Sequence, residues 1–515
     1  MKTETEANGT PAREALREIG MTGAGESARE GASRLLDRVT FFGLLVLIVL
    51  APVPYGTVEP WWESRFECAV FALTALWVIE GLLRGSWRAS RHTLLLPLLV
   101  LVVFAFIQTL PLWGASQAAG VEGTAWRAVS ADPYETQRFA FKLLALTLTG
   151  MLLLCYTSSQ RRFSALIHVV ISVGVASAIF GIVRQTTQRG EAGFILPYLM
   201  PGEGYAQFIN RNHFAFLMEM TLGLVLGLVV GGGVRRDRVL IYLGAVVPVW
   251  TALVLSNSRG GIFSMLSQVV FLALPFGAAW PQRGYPGSRG LPEWLGRIAR
   301  SLAARALLIA GLVMVVAVGI VWMGGDPLVS RLESMPVEIS AEGAKERGGE
   351  PRAELWRATW QLIKAHPVAG VGFGGYWVAI PEYHDASGEE TPQQAHNDYL
   401  ELLASGGIIG GALVAWFVIA MIKIARERLR TTDPFRRAAC FGALAGLIGI
   451  AVHSLVDFGL HITANALTFT ALAVIATLDG RVEGQRSRRS ELPSERPSTI
   501  APPEFTQSRS NERAN

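Results

Sequence analysis

The chain has 515 residues, 51 % of them hydrophobic, and a formal net charge of +5. Apolar runs of about 20 residues recur along it, which points to a polytopic helical membrane protein and leaves no obvious soluble domain. The charge is too small for this length to suggest a nucleic-acid partner, and Cys68, Cys155 and Cys440 lie inside apolar runs without a CxxC pair, which argues against thiol chemistry, a disulfide and a zinc site.

Residues 1–38 are polar and mixed in charge, with no short apolar core near Met1. They read as a disordered cytoplasmic tail and not as a cleavable signal. Twelve spans follow, near 40–58, 66–83, 93–112, 139–157, 163–183, 213–232, 239–256, 260–279, 304–324, 403–422, 438–456 and 462–478. This divides the chain into spans one to nine within 39–324, a long loop at 325–402, spans ten to twelve within 403–480, and a second disordered cytoplasmic tail at 481–515. Alternate loops carry the arginines: Arg84, Arg88 and Arg91; Arg161 and Arg162; Arg235, Arg236 and Arg238; Arg283 to Arg305; and Lys423 to Arg437. The positive-inside rule makes that side cytoplasmic and puts both termini there, as an even number of spans requires.

The outer loop at 325–402 is far longer than a connection needs, and such loops are usually functional. Between Asp326 and Asp398 it holds 12 acidic and 6 basic residues. The sequence predicts a helix that opens at Pro351 with Glu350 and Glu354 at its positive end. Leu355, Trp356, Thr359, Trp360 and Ile363 repeat along it at helical spacing, and His366-Pro367 ends it. Gly370 to Gly375 does not fit GxGxxG and follows a helix instead of a strand, so it reads as a tight turn and not as a dinucleotide site. Asn397 or Asp398 can cap the next helix, and Gly406-Gly407 marks a bend before the tenth span.

Several residues on the outer side can carry chemistry. His396 stands at a helix N-terminus, where the dipole disfavours an imidazolium, which suits a general base; it reads equally as a surface histidine capping its own helix. Arg259, in Ser256-Asn-Ser-Arg-Gly-Gly261, can pair with phosphate oxygens or simply snorkel to headgroups. Arg352 falls in the first turn of the loop helix, where free N–H groups and a guanidinium make a phosphate site, or where Glu350 or Glu354 takes it in a salt bridge. Arg211 and His213, in Asn210-Arg-Asn-His213, open the sixth span, and Glu219 lies inside it. His453 and Asp457, four residues apart, should share a helix face, either as part of a site or as a bond locking two helices. The sequence has no DxD, HExxH, GxSxG or P-loop, so no metal, cofactor or ATP coupling is expected.

Taken together, these residues resemble the O-antigen ligase and O-antigen polymerase family of bacterial membrane glycosyltransferases. The matching pieces are Asn257-Ser-Arg-Gly-Gly261, Arg352-Ala-Glu-Leu-Trp356, His366-Pro-Val-Ala-Gly-Val-Gly-Phe-Gly-Gly375, Ala395-His-Asn-Asp-Tyr-Leu to Gly410, and His453-Ser-Leu-Val-Asp-Phe458. The resemblance covers roughly 205–460 and implies an all-α, GT-C-like inner-membrane enzyme with a periplasmic active site. It implies a metal-independent, inverting transfer of a glycan from undecaprenyl pyrophosphate to a lipid A core or a growing glycan. Arg259 and Arg352 would hold the pyrophosphate and His396 would deprotonate or orient the acceptor hydroxyl. Arg211, His213, Asn397, His453 and Asp457 would be accessory. Ala404-Ser-Gly-Gly407 departs from the Glu-Thr-Gly or Glu-Gly-Gly turn common in the family, so the resemblance does not carry a glutamate role over to that turn. Polymerase and protein-glycosylating activities share this donor chemistry; a lipid-linked glycan transporter is the competing class, and it should show inverted repeats and broken helices at the midplane.

Overall fold

A computed structural model of the chain describes residues 10–88, 93–111, 128–188, 204–273, 352–384 and 392–478. All belong to the first of two units, Met1–Leu478. Every regular element among the described residues is helical, apart from an isolated bridge between Tyr205 and Phe208. In chain order these are α1 (Thr10–Leu50), α2 (Pro60–Arg84), α3 (Leu96–Gln108), α4 (Pro133–Tyr156), α5 (Gln160–Thr187), α6 (Arg211–Val230), α7 (Val239–Leu255) and α8 (Arg259–Ala273). They continue with α9 (Arg352–Ala365), α10 (Asp398–Arg428), α11 (Pro434–His453) and α12 (Thr463–Thr477). Helices α2, α4, α5, α6, α10 and α11 are long and apolar enough to cross a membrane, and α3, α7, α8 and α12 are apolar but shorter. Helices accompany eleven of the expected spans; the span near 304–324 lies outside the described residues, as does Pro351.

The helix starts follow local chemistry. Pro60, Pro133 and Pro434 each occupy a first turn, where the missing N–H costs nothing. Asp132, Ser159, Asn210 and Asp433 cap their helices by accepting hydrogen bonds from first-turn N–H groups. Helix α1 differs from expectation: it begins at Thr10, inside the stretch read as a disordered tail. That stretch is rich in Ala, Glu and Arg, which favour helix, and its last turns have partners. Asp37 pairs with Arg88 at 2.7 Å and with Arg162, and Ser33 Oγ reaches Glu80 at 3.5 Å. Buried Glu80 also takes Arg84 and the Tyr156 hydroxyl. Arg436 donates to Gln160 at 3.0 Å. Three of the arginine-bearing loops therefore meet at one end of the bundle.

Among the described residues, α6 packs closely against α11. Gly223 and Gly227 on one face Gly446 and Gly442 on the other, two GxxxG stripes with backbone against backbone. A Cβ at Gly227 would run into the Gly442 backbone. Small residues let membrane helices approach in this way. Because the two run antiparallel, the contact delivers the start of α6 and the end of α11 to the same place.

Candidate active site

That place carries the site. Asp457 lies 1 % exposed in the turn after α11. Its Oδ2 accepts from Asn212 Nδ2 at 2.6 Å, and its Oδ1 takes the Phe458 N–H at 2.9 Å and faces His396 Nδ1 at 3.5 Å. Burial alone would raise this carboxyl. The contact with His396 and the charges of His213, His453 and Arg352 outweigh burial and hold it well below the usual carboxylate range. Asp457 is therefore an ionised group beside the His396 imidazole. The His396 side chain is 39 % exposed, so its other edge is accessible.

His396 is set rigidly. Its φ of +49° is left-handed, a conformation that costs a non-glycine residue on the order of 1 kcal/mol or more and persists only where the surroundings enforce it. Here they do. On one side, the Ala395 carbonyl accepts from Trp356 Nε1 of α9 at 3.0 Å, and the Ala395 N–H donates to Glu401 at 2.9 Å. On the other, Asn397 caps α10 by accepting from the Tyr399 and Leu400 N–H groups, and its own amide donates to the Leu455 carbonyl at 2.8 Å. The Asp398 N–H donates to the Ser454 carbonyl at 3.0 Å. Two hydrogen-bonded turns, one before α10 and one after α11, thus face each other with His396 and Asp457 between them.

The glycine-rich segment braces the same corner. Gly407 has φ +59° and ψ −160°, so α10 bends there. The N–H groups of Ile408 and Ile409 donate to the Pro367 and Val368 carbonyls, at 2.9 and 3.2 Å. In return Val371 and Gly372 donate to Ala404 and Ser405, both at 2.9 Å. Gly374 N–H reaches Thr136 Oγ1 at 2.9 Å, which seats the turn on α4. The expected tight turn and helix bend are one hydrogen-bonded unit, with no strand beside it.

The other sequence candidates distribute around this core. Arg352 opens α9 and is close enough for its charge to act on Asp457. Arg211 and His213 sit in the first turn of α6 beside Asn212; His213 is buried, edge-on to Phe458 with ring centroids 4.8 Å apart. Arg259 opens α8, and the adjacent Gly260 lies directly against the His453 ring. His453 and Asp457 do not share a helix face. Helix α11 ends at His453, so Asp457 turns towards His396, while His453 points inward to Glu219 at 3.1 Å, both side chains fully buried. His453 is stacked on Phe216 at 4.0 Å. Glu219 therefore meets an imidazole inside the sixth span, and the pair ties α11 to α6.

The sequence reading did not single out Asn212, Phe458, Glu401 or His461. Phe458 presents its ring to His396 at 4.8 Å and to His461 at 6.0 Å as well as to His213. His461 Nε2 lies 3.4 Å from Glu401 Oε1 and 3.7 Å from Asp398 Oδ1. Burial, then Lys142 and His213, push the His461 imidazole down to about 3. Asn212 was visible as the middle of Asn-Arg-Asn-His. His461 and Glu401, 60 positions apart, leave no local signal.

An all-helical membrane protein with a buried carboxylate behind an accessible histidine, flanked by the starts of arginine-bearing helices, is the class this arrangement defines. Residues 244–415 match the family model described as O-Antigen ligase, in support of the resemblance that the motifs carry. The match includes Arg259, Arg352, His396 and Asn397 and stops before His453 and Asp457. No curated protein matches the chain.

Proposed function

We propose that the protein is an O-antigen ligase-like glycosyltransferase, which moves a glycan from undecaprenyl pyrophosphate to an acceptor hydroxyl at the periplasmic face of the bacterial inner membrane. The observation that carries this reading is His396 facing ionised Asp457 with its second nitrogen edge accessible. With Nδ1–H directed at Asp457, Nε2 holds the lone pair that takes a proton. The acceptor oxygen attacks the anomeric carbon from the side opposite the diphosphate, the carbon–oxygen bond to the diphosphate breaks, and its electron pair leaves with the diphosphate. The acceptor proton passes to His396 Nε2, and the anomeric configuration inverts. Arg352 and Arg259 bind the pyrophosphate and stabilise the charge that grows on it, the task a metal performs elsewhere. A polymerase would use the same donor chemistry and differ only in its acceptor.

The test is transfer by purified protein from an undecaprenyl-pyrophosphate glycan with and without chelator, the product identified by mass. His396→Ala should lower the rate by about 10² to 10⁴ and Arg352→Ala or Arg259→Ala by about 10² to 10³, with each variant still folded. Wild-type rates from folded His396→Ala would remove the general-base role. Lipid movement across proteoliposomes without any transfer product would replace the enzyme with a transporter.

A further inference from the structure

Helix α8 begins at Arg259, and local chemistry shapes that start without placing it in the bundle. Ser258 caps the helix: its Oγ accepts from the Gly261 N–H at 3.2 Å and its carbonyl from the Ile262 N–H at 3.1 Å. Asn257 is left-handed at φ +56°, and the Ser256 hydroxyl donates to the Leu253 carbonyl at 2.6 Å. These bonds all lie within residues 253–262. The placing comes from other helices. A Cβ at Gly261 would press on Ala215 of α6, and one at Gly260 would run into Cδ2 and Nε2 of His453. The turn that presents Arg259 therefore rests directly on one edge of the His453 imidazole.

That imidazole is itself held by α6. Phe216 and Glu219 stand three positions apart on the helix and so share a face. Phe216 stacks on the ring with centroids 4.0 Å apart, and Glu219 Oε2 lies 3.1 Å from Nδ1. With one face and Nδ1 engaged, the Cδ2–Nε2 edge is the part turned to α8. Both His453 and Glu219 are buried, and burying two ionisable groups in a membrane bundle costs more than burying an apolar pair of the same size. Joining α6 to α11 does not require the pair, because the facing glycines already do so. A hydrogen bond adds what packing does not, a fixed direction for the ring plane. That plane decides how closely Gly260 approaches and at what angle.

We propose that Glu219 and His453 are positioning residues for Arg259: the carboxyl orients the imidazole, the imidazole seats the first turn of α8, and the guanidinium is thereby aimed at the diphosphate of the donor. The proposal rests on the reading that Arg259 binds that diphosphate. Its test is a binding cycle that needs no turnover. The full chain, purified into an amphipol, is titrated calorimetrically with farnesyl pyrophosphate. Arg259→Ala should weaken binding about tenfold or more, and Glu219→Ala about threefold to tenfold. In the Arg259→Ala background Glu219→Ala should weaken binding no further, whereas in the Arg352→Ala background its full effect should remain. Gly260→Ala pushes on the other side of the same contact; it should behave as Glu219→Ala does and replaces that variant if it does not fold. A merely structural role would add its loss in both backgrounds. That result, or wild-type binding by the folded variant, overturns the proposal and leaves the reading of Arg259 intact. Wild-type protein that does not bind the probe, or Arg259→Ala that binds it as wild type does, removes the reading of Arg259 and the proposal with it.

Discussion

At the scale of single residues, the site depends on one carboxylate. Asp457→Asn keeps the shape but removes the charge that holds the His396 proton on Nδ1, so transfer should fall about hundredfold or more while folding survives. The same residue predicts an acid response. Because its carboxyl is held lower in the folded chain than in the unfolded one, the stability it contributes is complete above about pH 4 and is lost as pH falls through the folded value. Melting temperatures recorded downward from pH 5 should therefore drop more steeply for wild type than for Asp457→Asn. His396, Asn397 and Asp457 were legible because each sits in a local motif, but the helix face expected to hold both His453 and Asp457 does not form. Four residues of spacing put Asp457 on one helix face with His453, yet the helix stops at His453, and Glu219, 234 positions away, supplies the contact.

At the scale of elements, two glycine features do most of the positioning, and they differ in how readable they were. The bend at Gly406-Gly407 was legible because paired glycines in an apolar run have few other uses. Gly407→Ala should cost more than about 1 kcal/mol, since alanine is strained at φ +59° and its Cβ would meet the Val368 carbonyl. Gly244→Ala, in open space within α7, should be neutral or stabilising by up to about 1 kcal/mol. Thermal melts of the two purified variants separate these outcomes. The facing stripes Gly223/Gly227 and Gly442/Gly446 were written in the sequence as GxxxG, but which helix each would meet is a tertiary fact. Gly227→Ile should separate α6 from α11 and abolish both stability and transfer, measured by yield of monodisperse protein and by product formation. Trp360 shows the limit of periodicity: it fits the apolar repeat of α9, yet it is 48 % exposed with Lys364 over its ring.

At the scale of the whole molecule, the charge pattern of the loops predicts which end faces outward. In a cysteine-free background, Lys364→Cys should react with an impermeant thiol reagent on intact spheroplasts, and Arg430→Cys only after lysis; the reverse pattern would invert the topology. Arg88, Arg162 and Arg436 gather at one end of the helices, and His396, Asp457 and α9 belong to the loops between the others. The break at Gly407 has a mechanical meaning for such a molecule. Residues on both sides of it, Ala404 to Ile409, are hydrogen-bonded to the segment from Pro367 to Gly372, and the apolar rod continues beyond them to Arg428. When a bilayer thins or thickens, a spanning helix answers by tilting. With the bend tied down on both sides, a tilt of the rod beyond Ile409 should leave the corner holding His396 in shape in lipids of different chain length.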